Sequence, residues 1–89
     1  MEVGSIVRSM AGHDQGSFYV VVKAADGFVW IADGRRRSIL RPKRKNPRHL
    51  AKTVQSVPLT AEWTDKKIRH SLWTLNFGTS QPVTEEEET

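Results

Sequence analysis

Asp-Gly occurs twice in this chain, at residues 26–27 and 33–34, and the stretch between the pairs reads Phe-Val-Trp-Ile-Ala. An Asp-Gly pair between apolar runs is a strong hairpin signal, because both residues tolerate the left-handed backbone of a tight turn. The chain is therefore expected to double back at both places. Before the first pair, "SFYVVVKA" at 17–24 is rich in β-branched and aromatic residues and reads as a strand. Its alternation puts Phe18, Val20 and Val22 on one face and Tyr19, Val21 and Lys23 on the other. "FVWIAD" at 28–33 is the next strand, and "RRSIL" at 36–40 is expected to follow as its antiparallel partner. "VGSIVRS" at 3–9 opens the series, separated from the second strand by the loop "AGHDQG" at 11–16.

Pro42 and Pro47 bracket a segment that cannot be a regular central strand or a helix interior. "HLAKTVQSV" at 49–57 returns to apolar spacing, with Leu50, Val54 and Val57 and with Ala51 beside them, and reads as a closing strand. Thr64 is placed to cap a helix over "DKKIRHSLWTLN", with Thr60 as a rival cap and Gly78 as a stop. Asp65 then lies in the first turn, where the helix dipole favours an anion. Ile68, Leu72 and Leu75 form one apolar stripe. Short strands joined by tight turns and followed by one helix predict a mainly β fold, a small closed barrel with a C-terminal α-helix. The expected organisation is one domain over residues 1–78 and a disordered acidic tail over 79–89.

Charge is distributed unevenly. Residues 35–52 hold nine Lys or Arg and no Asp or Glu, whereas residues 85–88 are four consecutive Glu. Without those four, fourteen basic residues face six acidic ones. Such an excess favours an anionic partner, nucleic acid first and a membrane surface second. The basic segment has few apolar anchors, which argues against the membrane. Met1–Val7 lacks a basic flank followed by an apolar stretch, so no secretory signal is expected, and a cytoplasmic protein is. With no cysteine in its 89 residues the chain has neither disulfides nor thiolate metal sites, and its stability must come from apolar packing.

"GSIVRSMAGHDQGSFYVVV" at 4–22 resembles a KOW motif, a strand, a Gly-containing loop and a second strand found in ribosomal proteins and NusG-type transcription factors. The matching positions are Gly4, Ile6, Val7, Gly12, Asp14, Gly16 and the apolar run Tyr19 to Val22. "VWIADGRRRSILRPKRKNPRHL" is similar to the KOW-containing large-subunit ribosomal proteins of archaea and eukaryotes and to their short bacterial relatives. The likeness covers roughly residues 3–76. It implies an SH3-like β-barrel with RNA, above all ribosomal RNA, as the partner. The bacterial relatives are not obligatory parts of most bacterial ribosomes, so membership of the ribosome does not follow.

The candidate RNA contacts fall into two groups. Arg35, Arg37, Arg41, Lys43, Arg44, Lys45 and Arg48 supply cations, and Arg can give one phosphate two parallel hydrogen bonds. In a regular strand Arg35 and Arg37 would share one face and Arg36 the other. After Leu40, proline-restricted backbone should hold the remaining cations in an extended, projecting loop. The second group is the 11–16 loop, where Gly12 and Gly16 let backbone N–H groups approach a phosphate and His13 and Gln15 offer donors at the tip. The plain alternatives are a solvated basic loop and glycines that only meet turn geometry. Asp14 is expected to bond local backbone. Among the aromatics, Trp30 is the expected core anchor and Tyr19 the best candidate for stacking on a base. Trp73 lies off the helix stripe and is expected to cover the flank of the barrel. The three histidines lack metal-ligand spacing, and neither a cysteine nucleophile nor a phosphate loop of the nucleotide-hydrolase type is present. The expectation is therefore a non-enzymatic RNA-binding protein with no cofactor and no small-molecule substrate. Its alternative is a protein-interaction module of a transcription or translation complex.

Overall fold

In the computed structural model, which describes residues 1–58 and 63–77, five antiparallel strands form one sheet and a single helix lies on it. The strands are β1 (Ser5–Ser9), β2 (Phe18–Ala25), β3 (Phe28–Ala32), β4 (Lys43–Lys45) and β5 (Leu50–Ser56). A 3-10 turn, Pro47–His49, joins β4 to β5, and the helix α1 spans Asp65–Phe77. Spatial order across the sheet is β4-β3-β2-β1-β5. The mainly β architecture with one C-terminal helix agrees with the sequence and is consistent with an SH3-like barrel, but the sheet is not closed. Among the described residues β4 pairs only with β3 and β5 only with β1. Both edges are blunted in the way soluble sheets manage unpaired strands. β4 is three residues long and all cationic, and β5 carries an irregularity opposite Ile6, whose carbonyl accepts the Thr53 hydroxyl at 2.8 Å.

The alternation of β2 holds as far as Val21; the register shifts between Val21 and Lys23, so Lys23 lies on the face of Trp30 and not, as alternation predicts, on that of Tyr19 and Val21. Tyr19 and Val21 join Val7, Val29, Ile31 and Leu50 in a buried cluster on one face of the sheet. Val20 joins Ile6, Ile68 and Leu72 on the other, with Phe18, Val22, Val57, Trp63 and Leu75 packed around them. The stripe of α1 is therefore what covers that second face, as its spacing predicts. Thr64 begins the helix: its hydroxyl accepts the Lys67 N–H at 3.3 Å and its carbonyl accepts the Ile68 N–H at 3.0 Å. Trp73, off the stripe, is half-buried.

Five expectations are corrected. "RRSIL" is not a strand: residues 34–41 form a loop, and the partner of β3 is Lys43–Lys45. The proline-flanked stretch is accordingly an edge strand and not a projecting loop, so its side chains alternate. Tyr19 is 2 % exposed and unavailable for stacking, whereas Trp30 lies on the outer part of the helix-side face, paired with Lys23 and Arg44. Val54 does not share the core spacing of Leu50; it is fully exposed at the β5 irregularity. Thr60, Gly78 and the 79–89 tail lie outside the described residues.

Candidate nucleic-acid interface

Residues 33–37 show how one carboxylate sets up three arginines. Asp33 is 5 % exposed. Its Oδ1 accepts the backbone N–H groups of Arg35 at 2.9 Å and Arg37 at 3.0 Å. The Arg37 carbonyl returns the bond, accepting the N–H of Asp33 at 3.0 Å and of Gly34 at 3.1 Å. Asp therefore acts here as an anchor for a wide loop and not as part of a two-residue hairpin turn. With the backbone tied inward, Arg35, Arg36 and Arg37 are all exposed. Arg36 Nε lies 3.8 Å from Asp33 Oδ2 with its side chain 67 % exposed, a surface pairing worth ~0–1 kcal/mol that leaves its charge available.

The helix locks this loop from behind. Gly34 is buried at φ +79°, and a Cβ there would collide with the Asp65 carbonyl oxygen. Only glycine allows so close an approach of loop to helix. The Gly34 carbonyl accepts a bond from Arg69 Nη1 at 3.1 Å, and Asp65 Oδ1 accepts the Ile39 N–H at 2.6 Å. Asp65 thus has a tertiary partner beyond its interaction with the helix dipole. At the far end of the helix, the Asn76 side-chain amide accepts the Phe18 N–H at 2.7 Å and donates to the Phe18 carbonyl at 3.2 Å. The amide stands in for a strand neighbour where β3 has already diverged. A cleft of about 100 Å³ results, lined by Gly16, Ser17, Asp33, Arg35, Arg36, Arg69 and Asn76.

The 11–16 loop forms the adjoining wall. Gly12 and Gly16 have φ of 87° and 92°, so turn geometry requires both. His13 and Gln15 are exposed at the tip. Arg36 Nη2 reaches the Ser17 hydroxyl at 3.4 Å, and the Arg8 guanidinium lies beside Gly16, 4.0 Å from where a Cβ would sit. On its other side the loop is pinned by charge. Asp14 is buried; its Oδ1 accepts bonds from the Ser9 hydroxyl at 2.9 Å and Lys45 Nζ at 3.2 Å, and Lys43 Nζ stands 3.5 Å from its Oδ2. Burial by itself would raise the Asp14 pKa. The Ser9 and Lys45 hydrogen bonds and the charges of Lys45 and Lys43 outweigh it and hold the carboxyl at about 2. Burial, and then the Asp14 charge, push the Tyr19 phenol up to about 12.

The predicted cations consequently divide. Arg35 lines the cleft together with Arg36, whereas Arg37 is exposed outside its lining. Lys45 has 9 % of its side chain exposed and spends its charge on Asp14 and on the Ala11 carbonyl, 3.2 Å away. It is a structural lysine. Lys43 is one-third exposed and shares the same carboxylate. Arg44 points to the opposite side of β4, over the Phe28 ring at 4.8 Å. Arg41 and Arg48 are exposed, Arg41 beyond the Ser38 turn and Arg48 in the 3-10 turn, where Asn46 caps its N–H at 2.9 Å.

Arg8, Arg36, Arg69 and Asn76 are the residues that sequence reasoning missed. Arg36 is excluded only if strand alternation is imposed on a segment that is not a strand. Arg8 lies in β1, and the two α1 residues carry no local signal because their partners are 35 and 58 positions away. Among the described residues no group of three or more His, Asp or Glu stands close enough to hold a metal ion, and no helix is long and apolar enough to cross a membrane. In comparisons with known proteins, the chain matches no family model and no curated sequence.

Proposed function

We propose that this protein is a non-enzymatic RNA-binding module of the cytoplasm that grips the phosphate backbone of structured RNA, ribosomal RNA included. The observation that carries this reading is the Asp33-anchored loop, which keeps three consecutive arginines exposed and sets two of them, Arg35 and Arg36, in the wall of a preformed cleft. Placing like charges side by side costs energy in a free chain. A fold that fixes them beside a polar cleft has a use for a polyanion. Arg8 and the donors of His13 and Gln15 extend the same surface around the 11–16 loop. Phosphate contacts of this kind hold and orient a nucleic acid with little reading of its sequence.

Filter binding of a structured RNA over a range of salt concentrations tests the proposal. If Arg8, Arg35, Arg36 and Arg37 each neutralise one phosphate, log K falls against log salt with a slope of about −3.6 on a duplex and about −2.8 on a single strand. Weak binding that ignores salt rejects it. A second reading, a protein-interaction module, has one observation in its favour. Among the described residues β5 pairs on one side only and carries the fully exposed Val54, so beyond its irregularity a partner's strand has backbone to add to. Arg36→Glu with Arg37→Glu separates the two, abolishing RNA binding under the first and leaving partner association intact under the second.

A further inference from the structure

α1 covers only part of its face of the sheet. Towards the Asp26-Gly27 turn, the same face carries Trp30 and Phe28, both half-buried, with Lys23 and Arg44 exposed beside them. The register makes this a ladder, since Lys23 pairs with Trp30 and Trp30 with Arg44 across β2, β3 and β4. Lys23 Nζ lies 4.6 Å above the centre of the Trp30 ring and the Arg44 guanidinium 4.8 Å above that of Phe28. None of these four residues takes part in the arginine cleft.

We infer that this ladder is a stacking platform for unpaired nucleobases, with Lys23 and Arg44 meeting the phosphates on either side. The inference rests on the RNA reading above and specifies a second kind of contact for it. A tryptophan and a phenylalanine on one sheet face offer flat apolar area to any base, whatever its identity. The two cations now cover the rings, but an exposed cation–π contact favours its closed form only ~2- to 5-fold. A stacked base contributes ~5- to 100-fold by alanine substitution. The base therefore displaces the cation, which swings aside to a phosphate that the same strand supplies. Two cations flanking two rings complement an alternating base-and-phosphate ligand. A proline-rich peptide, which also docks on aromatic surfaces, presents no charge for them.

The test measures affinity of the full chain for a short unstructured oligouridine and for a blunt RNA duplex. Trp30→Ala should weaken oligouridine binding ~5- to 100-fold and leave duplex binding unchanged. An unchanged oligouridine affinity overturns the platform, as does a wild-type protein that binds the duplex alone. In both cases the arginine cleft stands. Loss of all RNA binding by the wild type defeats both readings together. Should Trp30→Ala fail to fold, photocrosslinking of the wild type to a thiouridine-substituted strand takes its place. Crosslinks at Trp30 or Phe28 support the platform, and crosslinks confined to residues 8–16 and 35–37 overturn it. A proline-rich peptide that competes for Trp30 where oligouridine does not would likewise refute the nucleobase assignment.

Discussion

Asp14→Ala should destabilise this protein far more than a loop substitution ordinarily does. The Lys45 ammonium is buried against that carboxylate, and without it only the Ala11 carbonyl at 3.2 Å remains as an acceptor. Removing one partner of a buried ion pair costs ~3–5 kcal/mol, because the other charge is left uncompensated. Lys43 is one-third exposed and lies at the sheet edge, so water can enter and the lower figure, ~3 kcal/mol, applies here. A domain this small is only marginally stable, so a loss of ~3 kcal/mol removes a large part of the total and should move the urea midpoint plainly. Lys45→Met in the same chain removes the stranded charge and should recover most of the loss. Urea titration of the wild type, both single variants and the double variant closes the cycle, with an expected coupling of at least ~2 kcal/mol. Asp14→Ala costing under ~0.5 kcal/mol, or strictly additive variants, would refute the account of Lys45 as structural. The same carboxylate gives a pH signature. Its pKa falls from 3.8 in the unfolded chain to about 2 in the fold, so acid protonates the unfolded chain first. Its contribution, up to ~2 kcal/mol, is complete above about pH 4 and disappears as pH falls towards 2. The double variant should lack that part of the acid transition.

Gly34→Ala forces a Cβ into the Asp65 carbonyl and a side chain into left-handed backbone, so it should undock the arginine loop from α1 and lower the thermal midpoint by several degrees, read by circular dichroism. Asn76→Ala strips both bonds from the Phe18 backbone and should cost ~1–3 kcal/mol in urea titration, while Asn76→Gln recovers little because its longer arm misplaces the amide. Asp33→Ala frees the Arg35 and Arg37 N–H groups and should weaken RNA binding while making the net charge more positive; a gain in affinity would show that charge alone, and not the fixed loop, governs binding. Tyr19 is the single tyrosine, so absorbance titration reads it directly: its phenol should stay protonated to about pH 12, and stability should decline above about pH 10, where the unfolded chain ionises first.

Much of this fold can be read locally. β1, β2, β3, β5 and α1 lie where β-branched alternation, the Asp26-Gly27 turn, Thr64 and the Ile68–Leu72–Leu75 stripe put them, because each signal acts over a few residues. The segment after Asp33 departs from the strand its residues predict for the same reason. Asp-Gly looks like a hairpin turn until the Asp33 carboxylate is seen to hold N–H groups two and four residues on, and until Asp65 takes the Ile39 N–H from 26 positions away. The identity of each sheet face was also beyond local reading. Alternation shows that Tyr19 and Trp30 occupy definite sides, but not how far α1 reaches across one of them, and that reach leaves Trp30 half-open while Tyr19 is sealed.

The amino-acid order by itself determined four of the five strands, the helix and the concentration of cations between residues 35 and 52, since propensity, periodicity and charge are properties of neighbouring residues. Tertiary structure alone decided which of those cations keep their charge for a partner. Lys45 is folded onto Asp14 and withdrawn, and Arg36 is left facing water. The difference between them is set by burial and by the distance to a carboxylate, and both are fixed only when segments remote in the chain come together.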